Sequence, residues 1–403
     1  MHASGLQIST KRGILRFYSG KKCQFTNLVH FFVETGSRTN EKRIERAAQA
    51  AGDRSEADIV PTNIRFSRRS FILMSLTLAA CKGGSDVIEL SGSTMGTRYS
   101  VTALDHDRSV NKAALHKAIE NSLLNVNAQM SNWDPSSEVS RFNAFASTEP
   151  MTVSEDLAKV ISAAKDVHQA SDGQFDITLG PVIEAWGFGA KDTHGHKQPA
   201  ADRLAAALSA SGQTDGLRVN GNRISKSHAN TQIYLPSIGK GYGIDQMAQA
   251  VKGFGLKDFM VEVGGDLYVS GRNADGLDWQ IGIESPDARN RQAYRIAGVS
   301  NLGMATSGDY RNYFEQDGHR YSHIINPKTG RPVTHRTASV TVLAENAMLA
   351  DAWATALLVH GTERGLEIAN QRDLAALFID RHADSSEKGF VTTSSSRFAA
   401  LQA

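Results

Sequence analysis

The order in which helical and strand patterns follow one another limits what this chain can fold into. Apolar residues recur at helical spacing in three segments, Val110–Met130, Thr152–Ala170 and Ala347–Val359, and Ser154 is placed to cap the second. Strand patterns lie among them in mixed runs, without strict strand–helix alternation. Such mixed runs are typical of α+β proteins. The sequence therefore predicts an α+β fold with mixed, largely antiparallel sheets and flanking helices.

The predicted strands are short and separated by turn residues. They are Val87–Thr102 around a glycine turn, a hairpin at Asn220–Asn222, Phe259–Val269 with a glycine break, Trp279–Glu284, Ser339–Leu343 and, as the last strand, Ala375–Asp380. Ser131–Asn143 is predicted to be an ordered but irregular loop. No internal repeat is visible in the sequence.

The first part of the chain differs from the rest and ends in an export signal. Residues 1–60 are polar, basic and weakly periodic. Arg68-Arg69 resembles a twin-arginine signal, and a short apolar run follows it. Leu78–Cys81 resembles a lipobox, whose cysteine is lipidated after cleavage. A buried helix that ends in cysteine is the alternative. We expect residues 1–60 to be an upstream extension outside the natural product, residues 61–80 a signal peptide, and residues 81–403 the mature domain.

The two cysteines and the net charge narrow the possible functions. Cys23 precedes the signal and Cys81 is the predicted lipid anchor, so the mature domain has no disulfide and no thiol chemistry. The lipid would hold the domain on the periplasmic side of the inner membrane. The chain has a net charge of +2, whereas nucleic-acid binders usually carry a clear excess of basic residues. No nucleic-acid partner is therefore expected.

A predicted helix carries a pair of oxygen ligands. Asp351 and Thr355 stand four positions apart, so their side chains share one face of the helix. A carboxylate and a hydroxyl suit Mg²⁺, which prefers oxygen ligands. The alternative is that the pair forms the polar edge of a buried helix.

The segment before this helix suits phosphoryl chemistry. Asp309, Arg311 and His323 lie among turn residues in one stretch. An arginine can hold phosphate oxygens in a bidentate way, and histidine is the usual general base near neutral pH. Each residue also has a structural alternative, as a surface ion pair or a satisfied core histidine.

Two further features point to a phosphorylated aromatic ligand. Lys240 stands between glycines just before a predicted helix, where backbone N–H groups favour phosphate, although the spacing is not that of a Walker P-loop. Met95, Trp133 and Phe175 could pack on a flat ring, although such residues more often belong to the core. Together, these signals indicate a Mg²⁺-dependent site for a phosphorylated aromatic ligand.

Ordered motifs across residues 88–380 resemble the FAD:protein FMN transferase (ApbE) family. They are Gly92–Thr97, Met130–Pro135, Ser140–Asn143, Gly173–Pro181, Ile238–Tyr242, Val261–Asp266 and Met304–Thr355. The resemblance implies an ApbE-like flavin transferase fold and an enzyme in which a threonine hydroxyl of an acceptor protein attacks the FMN phosphorus of FAD, so that AMP leaves. It also implies acceptors among subunits of membrane redox complexes, with the exposed threonine near an Asp-Gly pair.

The same resemblance assigns roles to individual residues. The implied FAD contacts are Met95, Trp133, Gln174, Phe175, Asp176, Lys240 and Ile325. Mg²⁺ is expected on Asp351, Thr355 and an oxygen of Ser237, through its backbone carbonyl. His323 is the candidate base for the incoming hydroxyl. We add Arg311 as a clamp on the phosphates, an inference from its charge rather than from the resemblance.

Three positions depart from the family pattern. Tyr234 and Asn326 each stand where aspartate is common, and Trp133 stands where tyrosine is usual. Tyr234 removes one possible acidic contact to FAD, whereas Trp133 keeps an aromatic face. The catalytic and metal positions are intact.

Two other functions remain open on the sequence alone. One is an FAD pyrophosphatase, in which water replaces the threonine and FMN is released. The other is a flavin-binding or storage lipoprotein without catalysis. The presence of Asp351, Thr355 and His323 argues against storage alone but does not separate transfer from hydrolysis.

Overall fold

A computed structural model describes four stretches of the chain. They are residues 85–190, 196–287, 292–382 and 389–403. The predicted extension at residues 1–60, the signal peptide at 61–80 and the lipidated Cys81 lie outside the described residues and stay predictions. Within the described ranges, no helix combines the length and the apolar character needed to cross a membrane.

The described residues form ten helices and seventeen strands. The helices are α1 (Lys112–Met130), α2 (Glu138–Ala144), α3 (Glu155–Ala170), α4 (Gly180–Ala185), α5 (Ala201–Ser209), α6 (Gln213–Gly216), α7 (Gly239–Gly253), α8 (Ala347–His360), α9 (Thr362–Gln371) and α10 (Ser396–Leu401). The strands are β1 (Asp86–Thr94), β2 (Thr97–Asp105), β3 (Met151–Thr152), β4 (Leu217–Asn220), β5 (Arg223–Lys226), β6 (Asp258–Val263), β7 (Asp266–Ser270), β8 (Trp279–Glu284), β9 (Ala293–Val299), β10 (Gly303–Gly308), β11 (Tyr313–Gln316), β12 (His319–Ser322), β13 (Ile325–Asn326), β14 (Arg331–Pro332), β15 (Thr337–Ala344), β16 (Ala375–Arg381) and β17 (Phe390–Ser394).

An eight-stranded sheet organises the fold. Its strand order is β1-β2-β6-β7-β10-β15-β16-β17, and all its neighbouring strands pair antiparallel. Smaller antiparallel sheets accompany it: β3-β5-β4, β8-β9, β11-β12 and β13-β14. The prediction of an α+β fold with largely antiparallel sheets is confirmed.

The middle of the large sheet is covered on both faces. Strand β7 is buried along its whole length. Leu267 and Val269 pack in a cluster with the β8–β9 hairpin, whereas Tyr268 between them packs in a cluster with α1 and α7. Since successive strand residues point to opposite faces, the covered middle of β7, residues 267–269, is apolar at each position instead of alternating.

Helix α8 is buried against this sheet and carries the predicted Asp–Thr metal pair. Two side chains hold its N-terminus. Asn346 accepts a hydrogen bond from the backbone N–H of Leu349 at 2.8 Å, and the Asp245 carboxylate accepts from Ala347 at 2.8 Å and Met348 at 3.0 Å. Burial raises the pKa of Asp245 to about 6, although these two backbone donors oppose that rise. The start of α8 is therefore fixed by groups from outside the helix.

Helix α7 approaches α8 so closely that only glycine fits between them. A Cβ atom at Gly241 would lie 2.3 Å from the backbone oxygen of Ala347. We expect Gly241→Ala to lower the free energy of unfolding by about 1–3 kcal/mol, because only a helix shift can relieve the overlap. The matched control is Gly253→Ala, where a Cβ meets no atom within 4 Å and alanine favours the helix. Urea unfolding compares the two, and equal stability would contradict the prediction.

Two details of the predicted secondary structure are wrong. Ser131–Asn143 is not an irregular loop throughout, because α2 begins within it and Ser137 caps that helix. Ala375–Asp380 is not the last strand, because β17 and α10 follow. Helix α2 has seven residues, and β17 is largely polar, so neither shows a clear apolar period. The predicted cap at Ser154 is confirmed by its 3.2 Å bond from a backbone N–H of α3.

Candidate functional site

A cavity of about 390 Å³ lies where α7, α8 and the end of β10 come together. It is lined by most of the predicted site residues, namely Gln174, Phe175, Asp176, Ser237, Lys240, Arg311, His323, Ile325, Asp351 and Thr355. The fold thus joins residues from distant parts of the sequence into one site. Their individual roles stay predictions.

Met95 and Trp133 do not line this cavity. Met95 lies at the β1–β2 turn with a φ of 49°, and its side chain packs so tightly on α7 that a Cβ at Gly243 would lie 2.7 Å from its methyl carbon. Trp133 is 60% exposed, and its ring lies 5.9 Å from that of Tyr234, which does line the cavity. Met95 therefore packs on α7 and Trp133 borders the cavity through its neighbour, and the FAD contact implied for each stays a prediction.

Two buried carboxylates and a lysine form the floor of the cavity. The Lys240 ammonium contacts the carboxylate of Asp266 and lies 3.8 Å from that of Asp351. The backbone N–H of Gly241 donates to Asp351 at 3.0 Å, and that of Thr306 donates to Asp266 at 3.0 Å. Sequence reasoning missed Asp266 as a site residue, although its Val261–Asp266 motif was a signal that could have found it.

The groups around Asp351 fit a hard cation. Burial raises the pKa of this carboxyl, and Lys240 opposes the rise, so its ionised form needs positive charge nearby. The Thr355 hydroxyl lies 3.0 Å from the Ser307 hydroxyl, and Ser237 lines the same cavity. In the part of the chain that the structure describes, no three His, Cys, Asp or Glu side chains converge as metal ligands. A cation here would depend on one carboxylate with hydroxyl and carbonyl oxygens, a set that suits Mg²⁺.

His323 presents a ring nitrogen that can take up a proton. Its Nδ1 lies 3.0 Å from the backbone oxygen of Asn312. A carbonyl oxygen only accepts, so Nδ1 carries the hydrogen and Nε2 of the neutral ring keeps its lone pair. Burial lowers the pKa of His323, although the bond to Asn312 opposes that change, so the neutral ring is favoured. The residue is therefore suited to act as a general base near neutral pH.

The other two charged residues of this segment have protein partners. The Arg311 guanidinium contacts the Glu284 carboxylate, and both residues line the cavity. Asp309 is buried and paired with Arg320 at 3.3 Å and Arg381 at 2.5 Å. Asp309 thus belongs to an ion cluster that supports the segment, whereas Arg311 forms its ion pair at the cavity itself.

The cavity-lining residues 174–176 are held in place by hydrogen bonds from neighbouring parts of the chain. The Nδ1 of His168 donates to the backbone oxygen of Phe175 at 2.7 Å, and the backbone N–H of Gln213 donates to Asp176 at 3.0 Å. Gln174 is buried, and its Oε1 atom has no hydrogen-bond partner in the described residues. Because an unpaired buried oxygen is costly, this atom is suited to accept an N–H from a ligand.

The antiparallel α+β fold thus carries a cavity in which carboxylates, a lysine and a histidine lie among apolar residues, the composition of an enzyme active site. Residues 95–378 match the ApbE family. The FAD:protein FMN transferase of Haemophilus influenzae is 42% identical over 337 residues, which cover 82% of this chain and 96% of that protein. The FAD:protein FMN transferase of Vibrio cholerae is 39% identical over 323 residues, covering 80% and 95%.

Solved structures show the same relationship. The flavin transferase ApbE from Vibrio cholerae has a TM-score of 0.72 and 37% identity, covering 78% of this chain and 99% of that one. The apo form of the Pseudomonas stutzeri flavinyl transferase ApbE has a TM-score of 0.72 and 37% identity, covering 79% and 98%. The chain belongs to the ApbE family, as the sequence motifs predicted.

Proposed function

We propose that this protein transfers FMN from FAD to a threonine hydroxyl of an acceptor protein, with release of AMP and with dependence on Mg²⁺. The observation that carries the proposal is that Asp351, Lys240 and the basic nitrogen of His323 belong to residues lining one cavity. Phosphoryl transfer depends mainly on positioning and on charge neutralisation, and this cavity offers groups for both. The names of the family relatives support FAD as the donor and a protein as the acceptor.

The positive groups hold the pyrophosphate of FAD. Lys240 neutralises one phosphate oxygen, and Arg311 leaves Glu284 to clamp another. Asp351, Thr355 and Ser237 would hold Mg²⁺, which when bound neutralises charge that develops on the leaving phosphate.

His323 acts as the general base that accepts the proton of the attacking threonine hydroxyl. The threonine Oγ forms a bond to the FMN phosphorus while the bond from that phosphorus to the bridging oxygen breaks. Nε2 of His323 accepts the hydroxyl proton, and AMP leaves with the bridging oxygen. FMN then remains on the acceptor as a phosphodiester. The neutral form of His323, favoured by burial, is the form this step needs.

The acceptor is proposed to be a subunit of a membrane redox complex. A lipid on Cys81 would keep the cavity on the periplasmic side of the inner membrane, within reach of such subunits. The exposed threonine of the acceptor has to enter the cavity beside His323.

The test of the function combines the purified protein with FAD, Mg²⁺ and a candidate acceptor domain. A denaturing gel under ultraviolet light detects covalent flavin, and AMP and FMN are quantified alongside. A fluorescent acceptor band with an equal amount of AMP supports the transferase. Free FMN and AMP without a band would favour the pyrophosphatase, and bound FAD without either product would favour a binding protein.

The hydroxyl pair of Ser307 and Thr355 gives a test of the metal assignment. We expect Ser307→Ala to raise the Mg²⁺ concentration for half-maximal transfer by about tenfold, because removing a hydrogen bond that orients a metal ligand commonly costs that much affinity. Ser122→Ala is the control, since its hydroxyl bonds to the backbone within α1. A Mg²⁺ titration of the transfer rate compares the variants. An unchanged Mg²⁺ requirement in Ser307→Ala would count against Thr355 as a ligand.

A further inference from the structure

One side of the cavity is an extended segment with little regular structure. We call residues 231–237 the wall segment. Tyr234 and Ser237 line the cavity, whereas Ile233 and Leu235 are buried in the core. The backbone N–H of Tyr234 donates to Ile177 at 2.7 Å. The neighbouring backbone groups also need partners, since unpaired buried amides are costly.

Two asparagine side chains supply those partners. Asn143 accepts from the backbone N–H of Ile233 at 2.7 Å and donates to its carbonyl oxygen at 2.8 Å. Asn132 donates to the same oxygen at 2.8 Å and accepts from the N–H of Leu235 at 2.9 Å. Each planar amide pairs one donor and one acceptor with the backbone, much as a neighbouring strand would. The two amides thus grip the chain on either side of Tyr234.

A buried lysine ties the same region together. Lys226 is 2% exposed, and its ammonium donates to the backbone oxygens of Phe142 at 3.1 Å, Asn143 at 3.3 Å and Thr231 at 3.2 Å. It also lies 5.1 Å from the ring centre of Phe142. Because a buried charge is costly without such partners, the ammonium draws the end of α2 and the start of the wall segment together.

We propose that Asn132, Asn143 and Lys226 are positioning residues for the transfer reaction proposed above, on which this inference rests. They touch neither substrate nor metal. They fix the wall segment so that Tyr234 lies beside Trp133 and Ser237 lines the cavity together with Asp351 and Thr355. The proposal assigns a role to the two sequence motifs that contain Asn132 and Asn143, residues that do not line the cavity.

We call the hydrogen bonds of Asn132, Asn143 and Lys226 to the wall segment and its surroundings the clamp. The first measurement asks, independently of any activity, whether these bonds hold the segment. Asn143→Asp keeps the shape and the acceptor of the side chain but replaces its N–H donor by a carboxylate oxygen facing Ile233. We expect the amides of the wall segment to exchange hydrogen about tenfold faster, the equivalent of one lost hydrogen bond. Hydrogen exchange with mass spectrometry measures this. Unchanged exchange in the wall segment would overturn the proposal.

The control is an asparagine that grips a different loop. Asn273 accepts from the backbone N–H groups of Asp275 and Leu277 at 3.0 Å and donates to Asp278 at 3.2 Å, outside the cavity. Asn273→Asp should speed exchange only in its own loop and leave transfer unchanged. If it slows transfer as much as Asn143→Asp, the effect is general destabilisation and the proposal fails.

The second measurement asks whether the clamp serves the reaction. For Asn143→Asp we expect kcat to fall about tenfold and the Mg²⁺ requirement to rise, with a smaller change in KM for FAD. Faster exchange with unchanged kcat and Mg²⁺ requirement would reduce the clamp to a structural role. Absence of transfer by the unmodified protein would refute the proposed function instead, and Mg²⁺ affinity by calorimetry would then decide on positioning. If Asn143→Asp does not fold, Asn132→Asp makes the same test.

Discussion

Asp351→Asn should reduce FMN transfer by at least about 1000-fold, because the charge stabilisation supplied by a bound metal amounts to several kcal/mol. The amide keeps the size of the carboxyl, and its oxygen can still accept from Gly241. What it removes is the negative charge that the predicted Mg²⁺ needs. Lys240 then has Asp266 as its remaining carboxylate partner in the cavity floor.

The matched control for this substitution is Asp105→Asn. Asp105 is also buried and also accepts a backbone hydrogen bond, from Val110 at 2.9 Å, but it does not line the cavity. Initial rates of acceptor labelling across a range of Mg²⁺ concentrations compare the two variants. Transfer by Asp351→Asn at more than a tenth of the normal rate would refute the metal assignment. A comparable loss in the control would trace the effect to folding.

His323→Ala should slow transfer by about 10²–10⁴-fold, the usual contribution of a general base, and leave FAD binding nearly unchanged. The alanine removes the nitrogen that accepts the hydroxyl proton, whereas the phosphate-binding groups stay in place. Single-turnover labelling measures the rate, and flavin fluorescence measures the binding. His319→Ala is the control in the β11–β12 hairpin just before His323, since that exposed ring bonds to the nearby backbone oxygen of Asp317. A normal rate without His323 would remove it as the base.

The pH dependence follows from the same residue. A base works in its neutral form, so the transfer rate should fall as the pH drops through the pKa of His323. Burial lowers that pKa from the ordinary value of 6.5, so the acidic limb of the rate profile should be centred below pH 6.5. A pH–rate profile at saturating FAD checks this expectation. An acidic limb centred above 6.5 would contradict it.

The sequence predicted the architecture well where local patterns were long. The helical period of α1 and the apolar run of α8 predicted both helices, and the glycine turns marked the hairpins. The sequence did not predict the short α2 or the polar β17. An element of a few residues that is stabilised by caps and tertiary contacts has no hydrophobic period to detect. The order of the eight strands was beyond sequence reasoning, since it depends on contacts between distant segments.

The site was predictable in composition but not in its pairings. Motifs indicated Asp351, Lys240 and His323, and the cavity brings them together. The contact of Lys240 with Asp266 and the burial of Asp309 among arginines could not be predicted, because a side chain's partner depends on which backbone comes near it. Spacing alone cannot say whether an acid faces a ligand or another side chain.

The cavity is lined by residues from α7, α8, β10 and several separate loops, so no continuous piece of the chain holds a complete site. A ligand that bridges these parts binds only the folded protein and therefore draws the folding equilibrium toward the native state. Flavin at 100 times its Kd would add about 2.7 kcal/mol to the free energy of unfolding. The resistance of this protein to heat and to proteases should accordingly rise with the local supply of its substrate, so that scarcity of flavin would shorten its lifetime as well as slow its turnover.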